Sequence, residues 1–328
     1  MRGMISFVVP CYNYAHFLGE CVSSILRQSY AKFEVLIMDD ESPDNTPEVA
    51  RAFGDSRVIH VRNERNLGLV SNVNKGFALA QGEFVWAISP DDNLRHPQAL
   101  ERYVRFIDRH PDVGYVFSPV VPIREGKEGI APLKYTDYGS KDKLIKAPEI
   151  GYKALDGCPV CGTATVVKKS CLMELGGFRA DLPRNTDWYL FGAIGMAYNV
   201  GYVAEPAVNL RLHSASYDAR CQRQSPEFCR DQDIATLQCL SRRAELLGLW
   251  TLAWAFQAQV PRALVRLGRQ AYNNGLLGSA KENFRLALSY GGQRRRAYTG
   301  LFWVGLGRLG FRIRSPLNSL RRLFPKGS

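Results

Sequence analysis

The sequence predicts an α/β fold, a mostly parallel sheet with flanking helices, followed by a helical C-terminal extension. Three observations carry the prediction. Short apolar, β-branched runs alternate with segments of helical periodicity from Ile5 to Phe117, which is the pattern of βαβ units. That rhythm breaks after Ser118, and from Phe228 onward the pattern is helical. With 328 residues, 46% hydrophobic and 23% charged, the chain has an ordinary globular composition and the length for one large domain plus an appendage.

Ile5 to Val9 is the first buried strand, and the apolar face of Phe17, Cys21, Ile25 and Leu26 makes His16 to Gln28 a helix. Phe33 to Met38 is the second strand. A helix over Asp44 to Phe53 is capped by Asp44, Asn45 or Thr46, whose side chains accept from free backbone N–H groups. Val58 to Val61 is the third strand, Asn72 to Ala80 a helix closed by Gly82, and Phe84 to Ile88 the fourth strand. Pro97, tolerated in a first turn, opens a helix to Arg109, and Val113 to Phe117 is the fifth strand. Residues 119–158, rich in Pro, Gly and Lys, read as a long irregular region of the kind that forms lids. Order resumes with a strand at Thr163 to Val167, helices at Ser170 to Leu175 and Trp188 to Ala197, and short strands at Gly201 to Val203 and Val208 to Leu212. Leu264 to Tyr290 reads as a helix pair with Gly275 and Gly278 at its turn, packed on the main domain or on itself.

The formal net charge of +12 is unevenly placed: residues 291–328 hold nine basic side chains and no acid. Leu301, Phe302, Trp303, Leu306 and Phe311 interleave with these arginines, which suits an anionic lipid surface better than nucleic acid. The competing reading makes the aromatics part of a helical core that the arginines merely solvate. Eight cysteines lack framework spacing, and the lone Cys158-x-x-Cys161 pair lacks the further ligands a structural zinc needs, so free thiols in a reducing cytosol are expected. No apolar run is long enough to span a membrane, and Met4 to Val9 is too short for a secretory core. The expected location is cytoplasmic, with peripheral attachment to the inner face of the membrane through the basic tail.

Chemistry collects at strand ends. In open parallel sheets, ligands bind beyond the carboxyl ends of the strands. Strand one ends in Pro10-Cys11-Tyr12-Asn13, strand two in Asp39-Asp40-Glu41-Ser42, and strand four in Ser89-Pro90-Asp91-Asp92. Paired acids at the end of a buried strand are costly without a cation, and a hard divalent metal carrying a diphosphate is the usual reason for them. Tyr12 offers a ring to stack a base, Asp40 an acceptor for a uracil-type imino hydrogen or a ribose hydroxyl, and Asp91 and Asp92 reach for ribose and metal. Any one of these acids alone reads as a cap or turn former; three groups on one rim read as a site. No Walker loop is present. The Gly-x-Gly-x-x-Gly match at Gly305 to Gly310 has too little chain after it, and no acid, to build a dinucleotide site.

Several strings together resemble family 2 glycosyltransferases of the Rossmann-like GT-A fold: Ile5-Ser-Phe-Val-Val-Pro-Cys-Tyr-Asn-Tyr, Leu26-Arg-Gln-Ser-Tyr, Glu34-Val-Leu-Ile-Met-Asp-Asp-Glu-Ser, Asn66-Leu-Gly, Asn74-Lys-Gly and Ala80-Gln-Gly-Glu. The resemblance is tight over residues 4–118 and looser over 158–216. It implies a GT-A domain over residues 1–220 with a basic helical extension over 221–328, and an inverting, metal-dependent transfer from a nucleoside diphosphate sugar, UDP-sugar favoured, to a saccharide or lipid-linked acceptor in surface polysaccharide synthesis. It also implies roles. Pro10, Tyr12, Asp40, Asn74 and Asp91 would bind donor, and Asp91, Asp92 and His213 would hold Mn2+ or Mg2+. Ser89 stands where many members carry the first acid of the Asp-x-Asp motif. Gly176-Gly177-Phe178 and Thr186-Asp187-Trp188-Tyr189-Leu190 resemble the acceptor-side motif, making Asp187 the general base with Thr186 in place of the usual Glu. Leu210-Arg211-Leu212-His213-Ser214 resembles the late Arg-x-His element.

Asp187 would take the acceptor proton as the anomeric carbon passes through an oxocarbenium-like state, and a single displacement would invert its configuration. Nucleotidyl transfer, the rival chemistry, usually wants a glycine-rich basic loop after strand one, which Cys11-Tyr12-Asn13-Tyr14 is not. A catalytically weak scaffold acting through the helical C-terminus is the non-enzymatic alternative.

Overall fold

The computed structural model describes residues 3–124, 127–129, 132–133, 136–213, 225–291 and 293–305. The chain divides into two compact units, Met1–Arg223 and Gln224–Ser328. The first unit runs β1 (Ile5–Cys11), α1 (Ala15–Leu26), β2 (Phe33–Asp39), α2 (Thr46–Arg51), β3 (Val58–Arg62), α3 (Leu69–Leu79), β4 (Phe84–Ala87), β5 (Asn93–Leu94), α4 (Ala99–Arg109), β6 (Tyr115–Phe117) and β7 (Val120–Arg124). It continues through β8 (Lys127–Glu128), β9 (Lys143–Ile145), α5 (Glu149–Lys153), a 3-10 turn (Gly162–Ala164), β10 (Thr165–Lys168), α6 (Lys169–Glu174), α7 (Thr186–Ala197), β11 (Val200–Tyr202) and β12 (Val208–Arg211).

The main sheet has the order β3-β2-β1-β4-β10-β6-β11-β9. β3, β2, β1 and β4 are mutually parallel, as the βαβ pattern predicts, and β10 enters antiparallel between β4 and β6. After β1 the chain moves outward to β2 and β3, then crosses back to β4 on the other side of β1. The carboxyl ends of β1 and β4 therefore flank a topological switch point, where open α/β sheets place their ligands.

Alternation along β1 explains the two cores. Ile5, Phe7 and Val9 face a layer with α1 and α4, while Val8 faces α3 and α7 through Leu36, Phe77 and Leu190. Trp86 on β4 is fully buried, stacked on Phe7 at a centroid distance of 5.2 Å and tilted on Tyr103 at 4.7 Å.

Residues 119–158 correct the sequence reading. They hold β7, β8, β9 and α5 in place of an irregular lid. Pro119 and Pro122 hide β7 from pattern reading, yet Val120, Val121 and Ile123 are buried and pair in parallel with β12. A second sheet, β5-β12-β7-β8, results. Its outer strands are two residues each, too short for any periodicity to declare them.

The second unit comprises α8 (Pro226–Leu246), α9 (Trp250–Asn273), α10 (Leu277–Ser289) and α11 (Arg294–Gly305). Ser225 caps α8, its hydroxyl accepting from the Phe228 amide at 3.0 Å. The predicted helix pair appears as α9 and α10. Gly275, at φ +76°, makes the turn, whereas Gly278 lies inside α10. The tail side chains from Leu306 onward, on which the membrane reading leaned, lie outside the described residues.

Trp86 also ties the core to the 3-10 turn, its Nε1 donating to the Thr163 carbonyl at 2.7 Å. Trp86→Phe keeps most of the ring packing and removes the donor to that part-buried acceptor, at a cost of about 1 kcal/mol. A lower urea midpoint with an unchanged slope is the expected result; an unchanged midpoint contradicts this role.

Candidate active site

The rim beyond β1, β2 and β4 is built around buried acids. Asp40 follows β2 at 3% exposure. Its Oδ1 accepts from Asn63 Nδ2 at 2.8 Å and the Leu67 amide at 2.8 Å, and its Oδ2 accepts from the Gly68 amide at 2.9 Å. The Asn66-Leu67-Gly68 string therefore acts as an amide clamp on Asp40. Lys75 extends the network by donating to Asn63 Oδ1 at 2.7 Å. An ionised carboxylate has about four lone-pair sites, so Asp40 keeps an acceptor position on Oδ2. Asp39 turns the other way, with Oδ2 taking Arg62 Nη1 at 2.7 Å. Pro10 is half-buried in β1, and Tyr12, just beyond it, is 44% exposed, its ring free to stack.

Asn13 and Glu41 sit at φ +59° and +60°, a region other residues than glycine enter at a cost. Both lie in the loops leaving β1 and β2, and the Asn13 amide donates to Ser42 Oγ at 3.2 Å, joining the loops. Asp44 stitches the same rim: its Oδ2 accepts from the Ala15 amide at 2.9 Å while Oδ1 accepts from the Thr46 amide at 3.2 Å, where α2 begins; Asn45, at the cap position, makes no side-chain cap bond.

Beyond β4, Asp91 and Asp92 are 6% and 2% exposed. Asp91 accepts from the Ser89 hydroxyl on Oδ1 and pairs with His213 Nε2 on Oδ2 at 2.9 Å. Asp92 Oδ1 accepts from the Arg211 amide at 2.8 Å. Burial first, and the charge of Asp91 second, push the Asp92 carboxyl well above the usual carboxylate range. Arg211 closes the arrangement from β12: its Nε donates to the Asp91 carbonyl at 2.9 Å and its Nη2 to Glu20 at 2.8 Å, with the guanidinium 4.9 Å from the Phe17 ring centre. Of the Arg-x-His element, then, the arginine fixes the acid loop and the histidine faces the acid.

Asp187 opens α7. As a residue it keeps some surface, yet its carboxyl lies deep enough that lost hydration pushes it up to about 6. No hydrogen-bond donor engages it among the described residues. Thr186, beside it, accepts from the Arg179 amide at 3.0 Å, fixing the loop that leads into α7. A Cβ built on Gly162 would stand 2.3 Å from Asp187 Oδ2, so a side chain there would push that carboxyl aside. The next residue, Thr163, accepts from the Ser89 amide at 3.3 Å and donates to Asp92. One short turn thus touches the Ser89–Asp92 loop with Thr163 and Asp187 with Gly162. Sequence reading missed it, because the contacts cross from Gly162 to residues far along the chain. Cys158, a free thiol pushed up by burial and then by Asp187, lies on the same side.

Asn74, expected at the donor, has its side-chain amide engaged within the protein. Its amide donates to the Phe178 carbonyl at 2.8 Å and accepts from the Phe178 amide at 2.8 Å, as a neighbouring strand would. Gly177, at φ +75°, makes room, since a Cβ there would lie 2.4 Å from Asn74 Oδ1. Asn74 holds the Gly176-Gly177-Phe178 turn ahead of α7. No cluster of three or more His, Cys, Asp or Glu side chains suited to a metal occurs among the described residues; Asp91, Asp92 and His213 form a looser set of which Asp92 is partly spent on Arg211.

Residues 6–175, just over half of the chain, match the profile described as Glycosyl transferase family 2. The chain belongs to this family. Glycosyltransferase GlyG of Streptococcus pneumoniae is 35% identical over 115 residues, 34% of this chain and 38% of that protein. The UDP-Glc:alpha-D-GlcNAc-diphosphoundecaprenol beta-1,3-glucosyltransferase WfgD of Escherichia coli is 36% identical over 89 residues, 27% of this chain and 35% of that one. The chain thus matches little more than a third of either relative's length. The fold is that of Staphylococcus aureus TarS 1-349, solved with UDP-GlcNAc, at a TM-score of 0.62 and 16% identity, covering 94% of this chain and 92% of that one.

Two outcomes test how the family's site is built here. If Asp187 works as a base, kcat/KM falls about tenfold per pH unit below about 6 and levels off above it, because protonation removes the acceptor lone pair; Asp187→Asn abolishes that arm of the profile. Turnover that does not change between pH 5 and 7 contradicts this. Gly162→Ala forces the Asp187 carboxyl aside and lowers kcat about 100-fold with donor affinity retained; equal loss of donor affinity contradicts it.

Proposed function

We propose that the chain transfers a sugar, with inversion, from a nucleoside diphosphate donor to a saccharide or lipid-linked acceptor in surface polysaccharide synthesis, with residues 1–220 as the catalytic part and 221–328 as an extension. The observation that carries this reading is the pairing of two sites on one turn: buried acids at the switch point on one side, and on the other a carboxylate that has no hydrogen-bond donor among the described residues and a raised pKa.

On the donor side, Tyr12 stacks the base, and Asp40, held rigid by its amide clamp, accepts the imino hydrogen of uracil on Oδ2. The TarS complex with UDP-GlcNAc supports a UDP-sugar, and the name of WfgD supports a lipid-diphosphate acceptor. Asp91 and His213 fit a hard divalent cation: their Oδ2 and Nε2 converge within 2.9 Å, both are oxygen or nitrogen ligands, and a cation beside them would relieve the burdened Asp91–Asp92 pair. Mn2+ or Mg2+ held there would neutralise the departing diphosphate. Ser89 orients Asp91, and Arg211 and Asp92 hold the loop in register. Asp187 takes the acceptor hydroxyl proton as that oxygen attacks the anomeric carbon, and the carbon–oxygen bond to the diphosphate breaks. With Asp187 acting as base and not as nucleophile, one displacement completes the reaction.

The test is a panel of UDP- and GDP-sugars assayed for donor hydrolysis with and without Mn2+. A UDP-sugar should be turned over in Mn2+ and not in excess chelator, and Asp91→Asn should lower the rate about 100-fold. Full turnover in chelator, or by Asp91→Asn, overturns the donor-side assignment.

A further inference from the structure

The helical unit carries a feature that glycosyl transfer does not use. A groove of about 460 Å3 between α9 and α11 is lined by Arg262, Arg266, Arg269 and Arg296, with Asn273 and Gln293 among its neutral walls. Arg262, Arg266 and Arg269 follow a spacing of four and three, which puts them on one face of α9. Neither α9 nor α11 contains an acidic residue.

The helices that hold these arginines are fixed relative to one another. Gly268 on α9 and Gly300 on α11 both close on the Phe284 ring of α10, where an added Cβ would lie 2.9 Å and 2.3 Å from ring atoms. Arg230, the buried arginine of this unit, is neutralised, donating to Asp231 at 2.7 Å and to Glu282 at 2.9 Å, whereas the groove arginines are exposed. In the groove, Arg262, Arg266 and Arg296 make no ion pair among the described residues, and the Arg296 guanidinium donates to the neutral Gln293 side chain at 3.1 Å. Like charges gathered on a rigid concave surface repel one another, and an anion relieves the repulsion. The guanidinium fork matches phosphate oxygens two at a time, and neighbouring amides add uncharged donors. The volume lies within the range of small-ligand sites.

We propose that this groove binds a phosphoryl group, a phosphate or diphosphate carried by a lipid headgroup or by a soluble molecule. The inference uses residues of the helical unit alone and does not depend on the reaction assigned to the first unit.

The experiment uses the full chain with two probes, inorganic pyrophosphate by titration calorimetry and phosphatidylglycerol vesicles by sedimentation, with phosphatidylcholine vesicles as the neutral control. The double variant R262Q/R266Q is compared with R294Q/R295Q, which removes the same charge from α11 residues that do not line the groove. R262Q/R266Q should weaken binding at least about tenfold, R296Q should weaken it as well, and R294Q/R295Q should leave it within about twofold. Pyrophosphate binding that the groove variants remove assigns a discrete phosphate seat; vesicle binding that pyrophosphate does not compete away assigns a headgroup. Absence of binding to both probes overturns the proposal. So does equal weakening by the two doubles at unchanged melting temperature, which would reduce it to bulk charge, and so does a preference for single-stranded RNA over both probes.

Discussion

Two adjacent carboxylates at the end of a buried strand are the constraint from which much of the first unit follows. Asp91 and Asp92 lie at the switch point with almost no solvent of their own. Left alone, such a pair would be expelled toward water or kept protonated. The chain answers with structure: β12 returns from far along the sequence so that the Arg211 amide can reach Asp92 and His213 can face Asp91. That return needs a surface to lie on, and the small sheet of β5, β12, β7 and β8 supplies it. Glu20 on α1 braces the other end, accepting from Arg211 and from Asn93. The residue stretch that looked irregular is thus part of what holds the acids.

The parallel strands and their acidic ends were legible because the signals are local. An apolar run that stops at Asp39-Asp40 or at Asp91-Asp92 announces both a strand and its rim. β7 was not legible, since its two prolines imitate a loop while the residues between and after them are buried. The clamp of Asn74 on Phe178 joins positions 104 residues apart, and nothing in a string such as Asn74-Lys-Gly says that its amide will mimic a strand partner. The role of Gly162 was equally hidden. A glycine whose missing side chain makes room for a carboxylate elsewhere leaves no trace in its own neighbourhood. The motif residues Asn66-Leu67-Gly68 were visible as a string, but their physical purpose, two backbone amides on Asp40, needed the loop geometry.

The two halves of the site differ in how they treat charge. Asp40, Asp91 and Asp92 are each held by donors, so their positions are set before any ligand arrives, and preorganised groups contribute more than groups that must reorient. Asp187 is the exception: it has no hydrogen-bond donor among the described residues, and burial alone raises it to about 6. A carboxylate held by donors is a poor base, and one left without them is a better one. The 3-10 turn touches both sets, Thr163 accepting from the Ser89 amide and Gly162 lying against the Asp187 carboxyl.

The base role proposed for Asp187 implies one displacement at the anomeric carbon. The most direct measurement is the anomeric configuration of the product, read by proton NMR from the coupling constant of the transferred sugar immediately after transfer. The account predicts a configuration opposite to that of the donor. Retention would require a second nucleophile or front-face attack, and would contradict the role given to Asp187.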